Sequence, residues 1–183
     1  MDQALERKRK SFMETGEIYF WTATINKWQP LLQRDDYKNV VISSLEYLSN
    51  MGKIDVFAFV IMTNHIHLIW RTNEHNGKET AQASFLKFTA HEFKKMLTKD
   101  GEGTLLNYAV EAQNKDHEFW KRDSLAIHLY TREVAYQKLD YIHYNPVAGA
   151  LAIDTCAYKY STARFYEMGI KEFSFIKDLR EEF

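Results

Sequence analysis

Cysteine is almost absent from this chain. Cys156 is the only one in 183 residues, which excludes an internal disulfide and any cysteine-rich zinc site. Proline is nearly as scarce, at two residues. No Pro-, Gly- or Ser-rich linker divides the chain, and its length suits one domain over residues 1–183. Repeats and low-complexity tracts are missing. No apolar run is long enough to span a bilayer. The first residues, MDQALERKRKSF, lack the apolar core of a signal peptide, so a cytoplasmic protein without a membrane partner is expected. A net charge of either sign is also missing, since the formal total is −1. That excludes a surface coated in positive charge but leaves room for a local basic face.

What the chain does have is clustered. Positive charge gathers in ERKRK (6–10), at Lys87, Lys94, Lys95 and Lys99, and in WKR (120–122). Residues 1–16 read as a basic N-terminal extension and 168–183 as a C-terminal tail. Aromatic residues make up 15%, enough for a core with some rings left over to stack on bases. EIYFWTATI (17–25) is β-branched and aromatic and reads as a strand. Residues 34–50 carry Val41, Leu45 and Leu48 near helical spacing, with Asp35 or Asp36 to cap the start. KIDVFAFVIM (53–62) and HIHLIWRT (65–72) read as two strands of a hairpin turning at Met62, Thr63 and Asn64. Residues 78–99 read as a helix with Phe85, Phe88, Phe93 and Met96 as its apolar members. Residues 100–118 show no usable period. LAIHLYT (125–131) reads as a short strand. Residues 132–144 read as a helix that Pro146 and Gly149 bring to an end. One more short helix is expected in 158–183. This order, β-α-β-β-α-(β)-α, is that of a split βαβ, ferredoxin-like antiparallel sheet with helices on one face, in the α+β class.

The chemistry concentrates in FVIMTNHIHLIW (59–70). In a strand, His65 and His67 point to one face while Ile66 points to the other. A lone H-x-H is a weak signal, and a pair of surface or hydrogen-bonded histidines is the ordinary alternative. A metal site needs a further ligand and a reacting group. Tyr141 and Asn145, four apart, share a helix face if the helix persists that far. An amide oxygen is a hard ligand suited to Mg²⁺ or Mn²⁺, and a tyrosine hydroxyl one turn away is a nucleophile. From spacing alone the ordinary reading, Tyr141 as core packing and Asn145 as a helix stop before Pro146, is the favoured one. Tyr136 and Tyr144 are rival tyrosines on the same helix.

FVIMTNHIHLIW resembles the histidine–hydrophobic–histidine (HUH) motif of single-tyrosine HUH transposases, and KLDYIHYNPVAGAL (138–151) resembles their tyrosine helix. FWKRDS (119–124) and YKYSTARFYE (158–167) resemble two further segments of the REP-associated tyrosine transposase branch, so the resemblance runs from about Tyr19 to Tyr166. It implies that the HUH motif lies on a central strand, that His65, His67 and Asn145 hold a divalent metal, Mg²⁺ or Mn²⁺, and that Tyr141 is the nucleophile. The implied reaction is metal-dependent cleavage and rejoining of single-stranded DNA, next to a hairpin, through a 5′-phosphotyrosine link. It implies action at the bacterial nucleoid, and a monomer, as in the REP-associated relatives; the insertion-sequence relatives are dimers that pair the tyrosine helix with the partner's HUH motif. Thr63 departs from the proline common before the Asn-His pair, and VAGAL lacks the basic residue often found after the Asn-Pro, so one DNA contact the resemblance would imply does not carry over. Lys87, Lys94, Lys95 and Arg122 are candidate phosphate contacts, with a solvated face as the ordinary alternative. Two rival functions stand beside this one. The first is a non-catalytic DNA hairpin-binding relative. The second is a small-molecule metallohydrolase, which would place more histidines in later strands than this chain offers.

Overall fold

The computed structural model describes residues 12–112, 115–122 and 124–183; the basic run at 6–10 lies outside them. In β1 (Ile18–Thr24), Tyr19, Trp21 and Ala23 face one side while Ile18 and Phe20 face the other. In α1 (Asp35–Asn50), Val41, Leu45 and Leu48 form the buried stripe. Its N-cap is Arg34, without a side-chain cap bond, and Asp35 and Asp36 act instead in the first turn, where a negative charge favours the helix dipole. β2 (Ile54–Ile61) and β3 (His65–Thr72) form the expected hairpin, closed by the Met62 N–H donating to the His65 carbonyl at 2.9 Å. Thr80 starts α2 (Ala81–Asp100) by accepting a hydrogen bond from the Ala83 N–H at 3.1 Å.

The stretch without a period becomes a short helix, α3 (Glu102–Leu105), and a small separate hairpin of β4 (Ala109–Ala112) and β5 (Lys115–His117). β6 (Leu125–His128), α4 (Arg132–Ala148) and α5 (Ala163–Met168) follow. The main sheet has the order β2-β3-β1-β6 and is antiparallel throughout, which is the split βαβ arrangement with β3 and β1 at its centre.

The expectation of helices on one face holds for α1 and α2, which pack on the face carrying Trp21, Leu68 and Trp70. It does not hold for α4. Ala135, Leu139 and Ile142, spaced four and three apart, pack on the opposite face against Phe20, Phe57, Val60 and Ile69. A β-bulge in β2 between Val56 and Ala58 helps, because it turns both Phe57 and Ala58 toward α4.

Two local expectations are corrected. α4 does not stop before Pro146 but runs through it to Ala148. In a last turn proline forfeits a single donor, its fixed φ is helical, and the turn is closed downstream by Gly149 N–H to Asn145 O (2.9 Å) and Leu151 N–H to Pro146 O (2.8 Å). Phe88 is not buried with Phe85 and Phe93 but is 48% exposed, at the rim of a groove lined by Tyr47, Leu48 and Ser84. The chain after α4 seals the β2 edge: Ile61 N–H donates to Tyr160 O and Lys177 N–H to Val56 O, both at 2.9 Å. Among the described residues no helix is long and apolar enough to cross a membrane.

Candidate active site

The two histidines stand on the face of β3 that α4 covers. Their cross-strand partners on β1 are Thr24 for His65 and Thr22 for His67. Because side chains alternate, Phe20 and Thr22 point to the same face as the histidines. Thr22 Oγ1 lies 2.7 Å from His67 Nδ1. With Nδ1–H donating to that oxygen, the Nε2 lone pair is free, and Nε2 is buried without a hydrogen-bond partner. Leaving such an atom unpaired costs about 1–3 kcal/mol. A ring held by one nitrogen and open at the other is the form of a histidine placed to ligate. His65 is held from two sides: its Nδ1 lies 2.7 Å from Asn64 Oδ1, and the Asn145 side chain hydrogen-bonds the same ring from α4.

Burial dominates the electrostatics. It pushes His67 down to about 3, with the neighbouring His65 and the Lys138 ammonium acting in the same direction. Burial also lowers His65, opposed by its bond to Asn145. Both rings are therefore held toward the neutral form that can donate a lone pair.

α4 supplies the rest. Lys138, Tyr141 and Asn145 fall at i, i+3 and i+7 and share one side of the helix, next to the stripe that packs on the sheet. The Tyr141 ring meets His67 edge-on at 5.2 Å and Phe20 at 5.8 Å between centroids. Its ring is half exposed, so one edge touches the site and the other meets solvent. Lys138 Nζ sits 5.0 Å from the Phe20 ring centroid and 5.6 Å from that of Tyr141. His65, His67, Tyr141 and Asn145 are thus brought together, all from one chain. Among the described residues no group of three or more His, Cys, Asp or Glu is placed to hold a metal, so the candidate donor set is two imidazoles and an amide.

The proposed DNA contacts are not all brought there. Lys87, Lys94 and Lys95 lie on α2, across the sheet from the histidines. Lys87 pairs with Glu79 at 2.7 Å and Lys95 with Glu92 at 3.1 Å, while Lys94 is exposed. Arg122 pairs with Glu118 at 2.9 Å. It does stand at the right end of the sheet, because the adjacent Lys121 N–H donates to Thr24 O, and Thr24 pairs with His65. Of the rival tyrosines, Tyr144 is exposed and Tyr136 packs at the other end of α4, near Arg132. His143 is buried and bonded to Thr162 Oγ1 at 3.0 Å. Trp120 is core, its indole N–H donating to Thr89 Oγ1 at 2.9 Å.

Sequence reasoning missed Thr22, Asn64, Phe20 and Lys138. Lys138 had a signal, being one turn before Tyr141. Asn64 had one too, as the neighbour of His65. Thr22 and Phe20 had none, because only the β1–β3 register puts them beside His67.

No protein-family model and no curated protein matches this sequence. Solved structures do. A REP-associated tyrosine transposase, solved bound to a REP hairpin, is 16% identical with a TM-score of 0.58, and the likeness covers 92% of this chain and 90% of that one. A structure from Deinococcus radiodurans R1, provisionally described as a transposase, is 14% identical, covering 74% of this chain and 95% of its own, with a TM-score of 0.38, too low to bear on the comparison. The first likeness shows that this chain has the fold of a REP-associated tyrosine transposase.

Proposed function

We propose that this chain is a REP-associated tyrosine transposase that cuts and rejoins single-stranded DNA beside a hairpin through a 5′-phosphotyrosine link. The observation that carries this reading is the meeting, on one sheet face, of the unpaired His67 Nε2, His65, Asn145 and the Tyr141 ring. The fold shared with a hairpin-bound transposase supports it.

His65, His67 and Asn145 would hold a divalent cation. Two imidazole nitrogens and an amide oxygen make a mixed set, in which Mn²⁺ fits better than Mg²⁺. When bound there, the cation supplies Lewis-acid polarisation of the phosphate. The chain's own residues do the rest. The Tyr141 oxygen attacks phosphorus; the O–P bond to tyrosine forms as the bond to the 3′ oxygen breaks. The phenol proton passes to solvent, and the departing 3′ oxygen takes one up. In the reverse step a 3′-hydroxyl attacks and tyrosine leaves, so phosphodiester energy is conserved and no nucleotide cofactor is needed. Lys138, over the Tyr141 ring, adds positive charge where the transition state gathers negative charge. Because Tyr141 adjoins His67 of its own chain, one copy carries the whole set, and the proposed active form is a monomer.

The test is a hairpin oligonucleotide with a single-stranded tail, incubated with Mn²⁺ and resolved in SDS. A covalent protein–DNA adduct should form with the parent chain, vanish in EDTA, return with Mn²⁺ or Mg²⁺, and be absent from Tyr141→Phe. An adduct formed by the Phe variant would remove Tyr141 from its role. Hairpin binding by the parent chain without any adduct would favour the non-catalytic reading.

A further inference from the structure

Asn26, Lys27, Trp28 and Gln29 make a tight loop after β1 that brings a bare indole to the mouth of the site. Trp28 is 59% exposed, whereas the other three tryptophans, Trp21, Trp70 and Trp120, are buried. Its ring stands edge-on to His65 at 6.4 Å between centroids. Lys27 and Trp28 both have positive φ, 54° and 56°. Two consecutive non-glycine residues in that region, one of them a tryptophan, are costly unless their surroundings impose the conformation.

The surroundings do impose it. Asn26 N–H donates to Phe119 O at 2.7 Å, Trp28 N–H to Ile25 O at 3.0 Å, and Gln29 N–H to Asn26 O at 3.3 Å. Asn64 ties the loop to the site: its Nδ2 donates to the Trp28 carbonyl at 3.4 Å while its Oδ1 engages His65 Nδ1. One carboxamide therefore fixes both the candidate ligand and the loop. Strain held this firmly, in a loop that buries no side chain, calls for a reason other than packing.

We infer that Trp28 is a stacking platform for one unpaired nucleobase, that of the nucleotide next to the phosphate presented to Tyr141. This inference rests on the proposed single-strand reading. An indole is the right surface for a base, because stacking needs a flat π-face and no particular hydrogen bonds, and each such contact measurably anchors a single strand. Its position beside His65 fixes which base is gripped. The grip sets the register of the strand and so the phosphate that is cut. Exposed Lys27, at its side, meets the same strand's backbone. Trp28 acts through the strand's position, not on the reacting atoms, and is a positioning residue.

The experiment uses the Tyr141→Phe chain, which holds DNA without cutting it, and a set of hairpin-plus-tail oligonucleotides with one abasic site moved along the tail. Binding is read by anisotropy and by quenching of tryptophan emission. In the Tyr141→Phe chain one abasic position should weaken binding by about 5- to 150-fold and remove the quenching. Adding Trp28→Asn should weaken binding to intact DNA by a similar factor and make that same abasic position silent. Trp28→Tyr should restore most of the affinity. Asparagine tolerates positive φ, so the Asn variant should unfold at the parent temperature or above it, which separates a lost platform from a lost fold. In the parent chain, Trp28→Asn should also shift or blur the cleavage position. An abasic scan with no sensitive position, or one equally sensitive in the Asn variant, overturns the inference while leaving the DNA reading standing. Failure of the Tyr141→Phe chain to bind tailed DNA at all would overturn both.

Discussion

Thr22 shows how one hydroxyl decides the chemistry of a histidine. The His67 ring has two nitrogens, and when Nδ1–H donates to the Thr22 oxygen 2.7 Å away, the lone pair is left on the buried, unpartnered Nε2. Removing that oxygen while keeping the shape frees the ring to turn over. In Thr22→Val, Mn²⁺ affinity should fall by about 10- to 100-fold, the usual cost of losing the group behind a ligating histidine. Titration calorimetry with Mn²⁺ on the parent chain and the variant measures it. Unchanged affinity would mean that packing against Phe20, stacked on His67 at 5.3 Å, orients the ring without help. At this scale the sequence was half legible. H-x-H in an alternating run announces two rings on one face by geometry alone. The residue behind each ring lies 45 positions away for His67, set by strand register, and no local pattern reports that.

Among the elements, α4 carries the most information. Its helical period was readable, and so was the pairing of Tyr141 with Asn145, but the sheet face it would cover was not. Period tells which side of a helix is apolar, not which side of a sheet receives it. The same gap left the α2 lysines, read as candidate phosphate contacts, without a sheet face, since charge clustering reads identically on either one. Phe88 shows a related limit: it sits one turn from Phe85 and beside Thr89, and only the position of α1 leaves it at the rim. Pro146 was over-read, because a proline in a last turn removes one hydrogen bond and the helix retains the rest.

His143 adds a polar tie between α4 and β2 to the apolar packing. Its Nε2 bonds Thr162 Oγ1, which in turn accepts the Phe59 N–H at 3.1 Å. Burial pushes the His143 pKa down to about 4, with Glu167 opposing weakly. A histidine whose folded pKa lies below its unfolded value keeps its full stabilising effect above about pH 6.5 and loses it as pH falls toward 4, because the unfolded chain takes up the proton first. The loss available is about 3 kcal/mol. His143→Gln should therefore destabilise the chain less at pH 4.5 than at pH 7, by about 2–3 kcal/mol. Urea unfolding of both chains at the two pH values checks this, and a penalty independent of pH would show that His143 is charged or hydrated in the folded state. Because α4 bears Tyr141, the parent chain should lose adduct formation over the same acid range before its sheet unfolds.

For the whole molecule, the question is what shape of nucleic acid fits the proposed site. Tyr141 meets His67 where α4 packs on the sheet, and Tyr141 is only half exposed. The formal net charge is −1, and three of the four basic residues proposed from the sequence are spent on intramolecular carboxylates. Little broad electrostatic attraction is left to draw a stiff duplex onto the site, and bending one sharply enough to seat a phosphate beside Tyr141 costs several kcal/mol, on the order of 1–6. A single strand bends freely and recovers about 1–3 kcal/mol for each base laid on an aromatic ring. A folded hairpin can then fix the approach through backbone contacts while the tail is threaded to Tyr141. The expected order of cleavage is therefore hairpin-plus-tail first, the isolated tail well behind, and the same sequence as a full duplex last. Labelled versions of the three, cut under identical Mn²⁺ and salt, give the answer on one gel. A duplex cut as fast as the tailed hairpin would rule out the single-strand reading. An isolated tail cut as fast would leave the site's chemistry intact but take the hairpin out of recognition, shifting all selection of the cut site to contacts along the tail itself.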